Sequence, residues 1–162
     1  MTRTAPRIQQ LIYLMFNLFP WVLTSLVFSP FAFAQPAVTE APITLVFKDF
    51  SIDPHTNRAK AGRLALEAVN EGRSLHELVI LKTDLTPAAL PRKEATPLQG
   101  MPTQYLVNED DPQIQTIDEI EEFPSGTSQK KTVVLEPGPY VLFCNIPGHY
   151  DKGMHASLHI EP

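Results

Sequence analysis

The sequence holds a single cysteine, and a histidine and a methionine follow it at regular spacing. Cys144, His149 and Met154 form the pattern C-x4-H-x4-M inside the stretch FCNIPGHYDKGMHASLHI. Thiolate and thioether sulfurs are soft ligands and imidazole is borderline, so together they suit copper in both of its oxidation states. Two histidines and a cysteine with a weak axial methionine are typical of copper sites that transfer electrons. The pattern therefore predicts a redox-active copper site that needs one more imidazole.

The second imidazole has to come from another part of the chain, and His76 is the candidate. It lies in SLHELVIL, at the start of a predicted strand that carries Leu78 and Ile80 on the same face. A position on a strand fixes an imidazole better than a position on a loop. The loop between Cys144 and Met154 contains three residues that favour tight turns, Pro147, Gly148 and Gly153.

The other soft or imidazole side chains do not extend this pattern. His155 and His159 lie four residues apart on a predicted strand, on the face opposite Met154, so we expect them at the surface. His55 lies in the polar turn DPHTN, and Met101 has no second ligand pattern around it.

Most of the chain reads as short strands separated by turns. Stretches rich in β-branched, aromatic or alternating apolar residues occupy 43–50, 63–70, 74–81, 130–135, 140–144 and 154–160. Gly, Pro and Asn signals separate them, and little helical periodicity is present. These features predict an all-β sandwich or barrel.

Residues 83–129 are the exception, because they are rich in proline and acidic residues. Ile114, Ile117, Ile120 and Phe123 recur at every third position, a spacing that allows one or two helical turns. A loop of this length without structure of its own is unusual in a compact domain. We expect a partly ordered acidic insertion with a short helix or an extra strand, and its charge is explained by a solvated surface.

At the ligand residues the sequence resembles the cupredoxins, the small blue copper proteins. The C-x4-H-x4-M spacing is most similar to that of rusticyanin, auracyanin and sulfocyanin. The resemblance implies a Greek-key β-sandwich, one type 1 copper ion and one-electron transfer. It makes His76, Cys144 and His149 the equatorial ligands and Met154 the axial ligand.

One residue beside the predicted site departs from that family. Many cupredoxins have an asparagine directly after the first histidine ligand, and this chain has Glu77. An ionised carboxylate cannot donate a hydrogen bond to the thiolate, although the backbone N–H of Glu77 can. Asn145, next to Cys144, is another candidate donor and is equally well explained as a turn residue.

The N-terminus predicts export. Arg3 and Arg7 precede an apolar run from Leu11 to Phe28, and Ala32-Phe33-Ala34 fits a signal peptidase site. We expect a signal peptide at 1–34, a linker at 35–42 and a copper-binding domain at 43–162, with the periplasm as destination. The alternatives are an uncleaved membrane anchor, since 18 mostly apolar residues are near the lower limit for a span, or a thylakoid lumen.

The net charge and the types of ligand residue limit the classes of function that fit the sequence. The net charge of −5 at pH 7 disfavours nucleic acid as a partner. We expect a monomer that exchanges electrons with a redox protein such as a cytochrome or a terminal oxidase, and not an enzyme. A copper chaperone or resistance protein with the same ligands is the alternative, and a Cys144 nucleophile or a zinc site is a further one.

Overall fold

The computed structural model describes residues 41–97 and 99–162. The predicted signal peptide at 1–34 and most of the predicted linker at 35–42 lie outside the described residues. No helix within the described ranges is long and apolar enough to cross a membrane. These ranges contain two short 3-10 helices, Pro87–Ala89 and Tyr150–Lys152, and the following strands: β1 Ile43–Lys48, β2 Ser51–Pro54, β3 Arg58–Lys60, β4 Gly62–Asn70, β5 His76–Lys82, β6 Arg92–Glu94, β7 Tyr105–Val107, β8 Gln115–Phe123, β9 Ser128–Leu135, β10 Gly138–Phe143 and β11 His155–Glu161.

The strands form two main sheets, which confirms the predicted all-β sandwich. The first sheet has the order β2-β1-β4-β9 and the second has the order β3-β11-β10-β5-β8. Strands β1 and β4 pair in parallel, as do β11 and β3, whereas the other neighbours in these sheets are antiparallel. A separate pair, β6 and β7, lies within the stretch predicted to be an insertion.

The core lies between the inner faces of the two sheets. Alternate residues of β4 are buried, as the period of two predicts. Leu45 and Leu66 of the first sheet belong to one buried cluster with Leu78, Leu142 and Leu158 of the second. Burial of apolar area of this kind is the main favourable term in folding.

The second sheet is also covered on its outer face. Val79 and Val141 point away from the main core, yet they are buried in a second apolar cluster with Leu90 and Val107. Leu90 and Val107 come from the predicted insertion, so this segment forms a third layer over β5 and β10. That layer explains why β5 reads as a nearly continuous apolar run.

The end of the predicted insertion is a regular part of the sheet. Residues 115–123 form β8, so the helical alternative for the spacing of three is wrong. The pairing of β8 with β5 shifts register twice, between Ile120 and Phe123 and between Thr116 and Asp118. A β-bulge inserts one extra residue into a strand, so residues that face the core fall three apart instead of two. Ile117, Ile120 and Phe123 therefore all pack against the core.

The turn that leads from β4 into β5 is fixed by one buried side chain. Asn70 is 1% exposed and donates through Nδ2 to the carbonyl oxygens of Ser74 (2.9 Å) and Phe123 (3.1 Å). Its Oδ1 accepts from the backbone N–H of Gly72 at 2.9 Å. The three bonds satisfy backbone groups that the turn leaves without strand partners. They also set the position from which β5 starts at His76.

Replacing Asn70 by Ala should lower the free energy of unfolding by about 2–4 kcal/mol, because buried backbone groups lose their partners. Urea unfolding at pH 7 measures this change. The exposed Asn57 is the matched control, and its replacement by Ala should change stability by less than about 0.5 kcal/mol. Equal stability of the two variants would show that Asn70 does not hold the turn.

Candidate metal centre

Three of the predicted ligands lie at one end of the sandwich, at or near the ends of adjacent strands. Strand β5 begins at His76, and β10 ends immediately before Cys144. The connection from β10 to β11 carries His149 at the start of a 3-10 turn. Since β10 pairs antiparallel with both β5 and β11, these positions meet at the same end of the second sheet.

The ligand loop is closed on itself by backbone hydrogen bonds. The N–H of Cys144 donates to the carbonyl of Met154 at 3.1 Å, and the N–H of Met154 donates to the carbonyl of His149 at 3.2 Å. Gly153 has φ of 101°, a left-handed conformation that favours glycine and ends the 3-10 turn. The loop therefore holds its predicted ligands in a fixed arrangement.

The ligand atoms of His76, Cys144 and His149 converge. One ligand atom from each residue lies within 4.8 Å of the others. The Cys144 Sγ is 3.4 Å from the His149 Nδ1, and the two imidazole centroids are 5.3 Å apart. His76 and Cys144 are fully buried, whereas His149 is partly exposed. A single metal ion can be reached by all three side chains.

The imidazole of His76 has no hydrogen-bond partner among the described residues. Both of its ring nitrogens are buried without one, and they are the only such side-chain atoms in ranges 41–97 and 99–162. Burial of a polar group without a partner costs about 1–3 kcal/mol, so buried polar atoms are nearly always paired. Desolvation, together with the nearby His149, lowers the pKa of His76 and keeps the ring neutral. A neutral, unpaired imidazole beside a thiol fits a metal ligand.

Cys144 is positioned to bind a metal as a thiolate. Burial, with a contribution from nearby carboxylates, raises the pKa of its thiol to about 11. The backbone N–H groups of Glu77 and Ile146 point at the sulfur and oppose that rise. Without a metal the thiol is protonated at neutral pH, so metal binding must release this proton. The donor set of one sulfur and two imidazoles suits copper better than calcium or magnesium.

Met154 lies beside the three converging residues. It is fully buried, and it belongs to the same apolar cluster as Cys144. Its backbone bonds to Cys144 and His149 keep it next to both. Its assignment as the axial ligand stays a prediction.

The remaining histidines do not join the group. His155 is half-buried against the ring of Tyr150, with centroids 5.1 Å apart, and burial lowers its pKa. His159 and His55 are exposed. Met101 is 61% exposed, which leaves it without the buried setting of Met154.

Asn145 connects the ligand loop to the third layer instead of bonding to the sulfur. Its side chain exchanges two hydrogen bonds with the backbone of Val107, at 2.7 and 3.1 Å, and donates to Glu109 at 2.8 Å. The backbone N–H of Asn145 faces the carboxyl group of Glu77 and opposes the rise in its pKa. The layer over β5 is therefore fastened beside Cys144.

Two residues at the site, Asp49 and Phe50, were not predicted from the sequence. Both lie in the turn between β1 and β2. The ring of Phe50 meets the His149 imidazole edge-on, with centroids 5.6 Å apart, and Lys152 Nζ lies 4.2 Å from the Phe50 centroid. Phe50 has φ of 71°, an unusual value for a bulky residue and one often found at functional sites. Its neighbour Asp49 approaches His76. The sequence KDFS carries no signal that would have identified either residue.

Comparisons with known proteins support the fold. No protein-family model matches the chain, and no curated protein matches it. The solved structure of dithionite-reduced auracyanin from Roseiflexus castenholzii is similar, with a TM-score of 0.52 and 19% identity over 76% of this chain and 98% of that one. Rusticyanin from Thiobacillus ferrooxidans is similar with a TM-score of 0.50 and 15% identity, over 74% of this chain and 75% of that one. The chain has the cupredoxin fold, as the resemblance at the ligand residues implied.

Glu77 makes the stability of the metal-free protein depend on pH. Desolvation raises its pKa to about 7, so ionisation is easier in the unfolded chain than in the folded one. The stability linked to this group is present below about pH 4.5 and is lost as the pH rises through 7. Glu77→Gln should therefore gain about 1–2 kcal/mol of unfolding free energy over the wild type between pH 5 and pH 8.

Urea unfolding of the metal-free proteins at both pH values measures this difference. The control is Glu94→Gln on β6, where the side chain is exposed. If Glu77→Gln and Glu94→Gln follow the wild type in parallel from pH 5 to pH 8, the assigned role of Glu77 is wrong.

Proposed function

We propose that this protein carries single electrons through one type 1 copper ion held by His76, Cys144 and His149, with Met154 as the weak axial ligand. The observation that carries the proposal is the unpaired, buried imidazole of His76 facing a buried cysteine and a second histidine within a cupredoxin fold. When bound there, copper supplies a one-electron couple between its cuprous and cupric states.

The chain's own contribution is to keep the ligands in one arrangement through the redox cycle. His76 is held at a strand start, and Cys144 is held by its backbone bond to Met154. The N–H groups of Glu77 and Ile146 stabilise negative charge on the sulfur. Ligands that do not move on a change of charge keep the reorganisation cost low, which supports electron transfer over metal delivery to another protein.

The electron is expected to leave through His149, because it is the least buried residue of the predicted ligand set. Two of the four large exposed hydrophobic residues in the described ranges adjoin the ligands: Leu75 immediately precedes His76, and Tyr105 lies beside the ligand loop. Tyr105 accepts a hydrogen bond from the N–H of Gly148, next to His149. We call Leu75, Tyr105 and the exposed Pro147 the site rim. Tyr150, by contrast, is 5% exposed and does not belong to it.

An apolar rim of this kind suits a brief contact with a redox protein such as a cytochrome or a terminal oxidase. The acidic residues of β8 lie in the same sheet as the ligand strands and would steer a basic partner. Export to the periplasm, suggested by the leader at 1–34, would bring the protein to such partners.

A nucleophilic role for Cys144 is disfavoured. The thiol is fully buried, and burial raises its pKa to about 11, whereas a nucleophilic cysteine needs an accessible thiolate.

Reconstitution of the purified protein with Cu(II) should give an intense visible absorption from thiolate-to-copper charge transfer. Cys144→Ser should abolish it, because the sulfur donor is lost. Met154→Leu should keep the colour and raise the reduction potential, since the loss of a weak axial donor favours the cuprous state. A colourless wild type, or a Cys144→Ser variant as coloured as the wild type, would reject the copper assignment.

The site rim can be tested without a partner protein, through electron self-exchange between the reduced and oxidised copper forms. Leu75→Lys places a charge in the rim and should slow self-exchange at least severalfold, as measured by NMR line broadening. Val134, which is 67% exposed on β9, provides the control Val134→Lys at a similarly exposed apolar position. Equal rates in the two variants would place the exchange contact elsewhere.

A further inference from the structure

The turn between β1 and β2 presents a carboxylate to the buried end of the site. Asp49 is fixed from two directions by Arg73, whose backbone N–H donates to Oδ1 at 2.8 Å and whose Nε donates to Oδ2 at 2.9 Å. The Asp49 side chain is only 23% exposed, although Arg73 extends into solvent. The carboxylate is therefore held in one orientation beside the turn that leads into β5.

Gly72 allows this carboxylate and the His76 ring to face the same point. A Cβ atom at Gly72 would lie 2.8 Å from the His76 Nε2 and 2.9 Å from the Asp49 Oδ1. Any other residue at 72 would crowd both atoms. The absence of a side chain leaves Nε2 and Oδ1 facing one shared gap; they make no direct hydrogen bond here, and a single water molecule in that gap would bridge them.

The orientation of the ring gives this proximity a chemical meaning. Because Nε2 of His76 faces Gly72 and Asp49, Nδ1 is the nitrogen left to face the Cys144 sulfur and His149. An imidazole that binds a metal through one nitrogen keeps a proton on the other, and that N–H requires an acceptor. Among the three atoms nearest to the Cβ position of Gly72, the Asp49 Oδ1 is the one that can accept this proton.

Asp49 also lies near the second histidine. Its sequence neighbour Phe50 contacts the His149 ring with centroids 5.6 Å apart, and its own Oδ1 faces His76 across Gly72, so its negative charge is close to both imidazoles. A fixed negative charge near a metal centre stabilises the more highly charged oxidation state.

We propose that Asp49 is a positioning residue for the metal centre, which accepts the Nε2–H of His76 across Gly72 and favours the cupric over the cuprous state. The proposal rests on the proposed function for its redox part alone, because the hydrogen bond is expected with any metal on Nδ1. Asp49 fixes the rotation of the ring through its acceptor and sets the reduction potential through its charge.

The hydrogen bond is tested in the Zn(II)-loaded protein, which is diamagnetic and needs no redox chemistry. The ring Nε2–H of His76 should give a slowly exchanging NMR signal in the wild type. Asp49→Ala should abolish the slow exchange. Arg73→Gln removes the ion pair but keeps the backbone bond to Oδ1, so it should retain the signal. Rapid exchange in the wild type, or an unchanged signal in Asp49→Ala, would overturn the hydrogen bond.

The charge effect is tested in the copper-loaded protein by potentiometry and by competition titrations with Cu(II) and Cu(I). Asp49→Asn should raise the reduction potential and weaken Cu(II) binding about tenfold or more, with a smaller effect on Cu(I). Asp53→Asn removes a carboxylate that pairs with Lys48 at the surface, and it should change neither quantity. A purely structural role for Asp49 would weaken both oxidation states equally and would contradict the proposal.

The outcomes separate the two proposals. If the wild type binds Zn(II) with a protected His76 N–H but gives no copper–thiolate colour, electron carriage fails and the role of Asp49 in positioning stands. If the wild type is coloured and Asp49→Asn matches Asp53→Asn, electron carriage stands and the role of Asp49 fails.

Discussion

The structure depends on the burial of one imidazole whose two nitrogens have no partner within the described residues. His76 is fully buried in the sandwich. An unpaired polar atom there costs free energy that folding must offset. A metal ion bound beside Cys144 and His149 would remove that cost on one side of the ring, and Asp49 would remove it on the other. Metal binding and folding are therefore coupled at this residue.

Hydrogen bonds around the site hold the ligand residues in place. Asn70 fixes the turn that precedes β5, and the bond between Cys144 and Met154 closes the ligand loop. Asn145 fastens the third layer beside the sulfur through its bonds to Val107. Each contact joins a loop to a neighbouring loop or strand, so the ligand positions are set by the whole end of the sandwich. Such rigidity suits a centre that changes charge without changing shape.

Much of the site could be predicted from the sequence, because soft ligands are rare and their spacing reflects a strand, a turn and a strand. His76 was identifiable since it begins an apolar run of β type. The strand β8 was harder to predict. Its two bulges change the spacing of core-facing residues from two to three, which is close to the spacing in a helix. Asp49 and Phe50 could not have been found, since their roles depend on how a distant hairpin packs against the histidines.

The central claim is that one copper ion binds where His76, Cys144 and His149 converge. Crystals of the copper-loaded protein, measured with X-rays at the copper absorption edge, test it most directly. One strong anomalous peak is expected within bonding distance of a nitrogen of each of the two imidazoles and of the cysteine sulfur. A peak at the exposed His159 or at His155, or the absence of any peak at the cysteine, would contradict it.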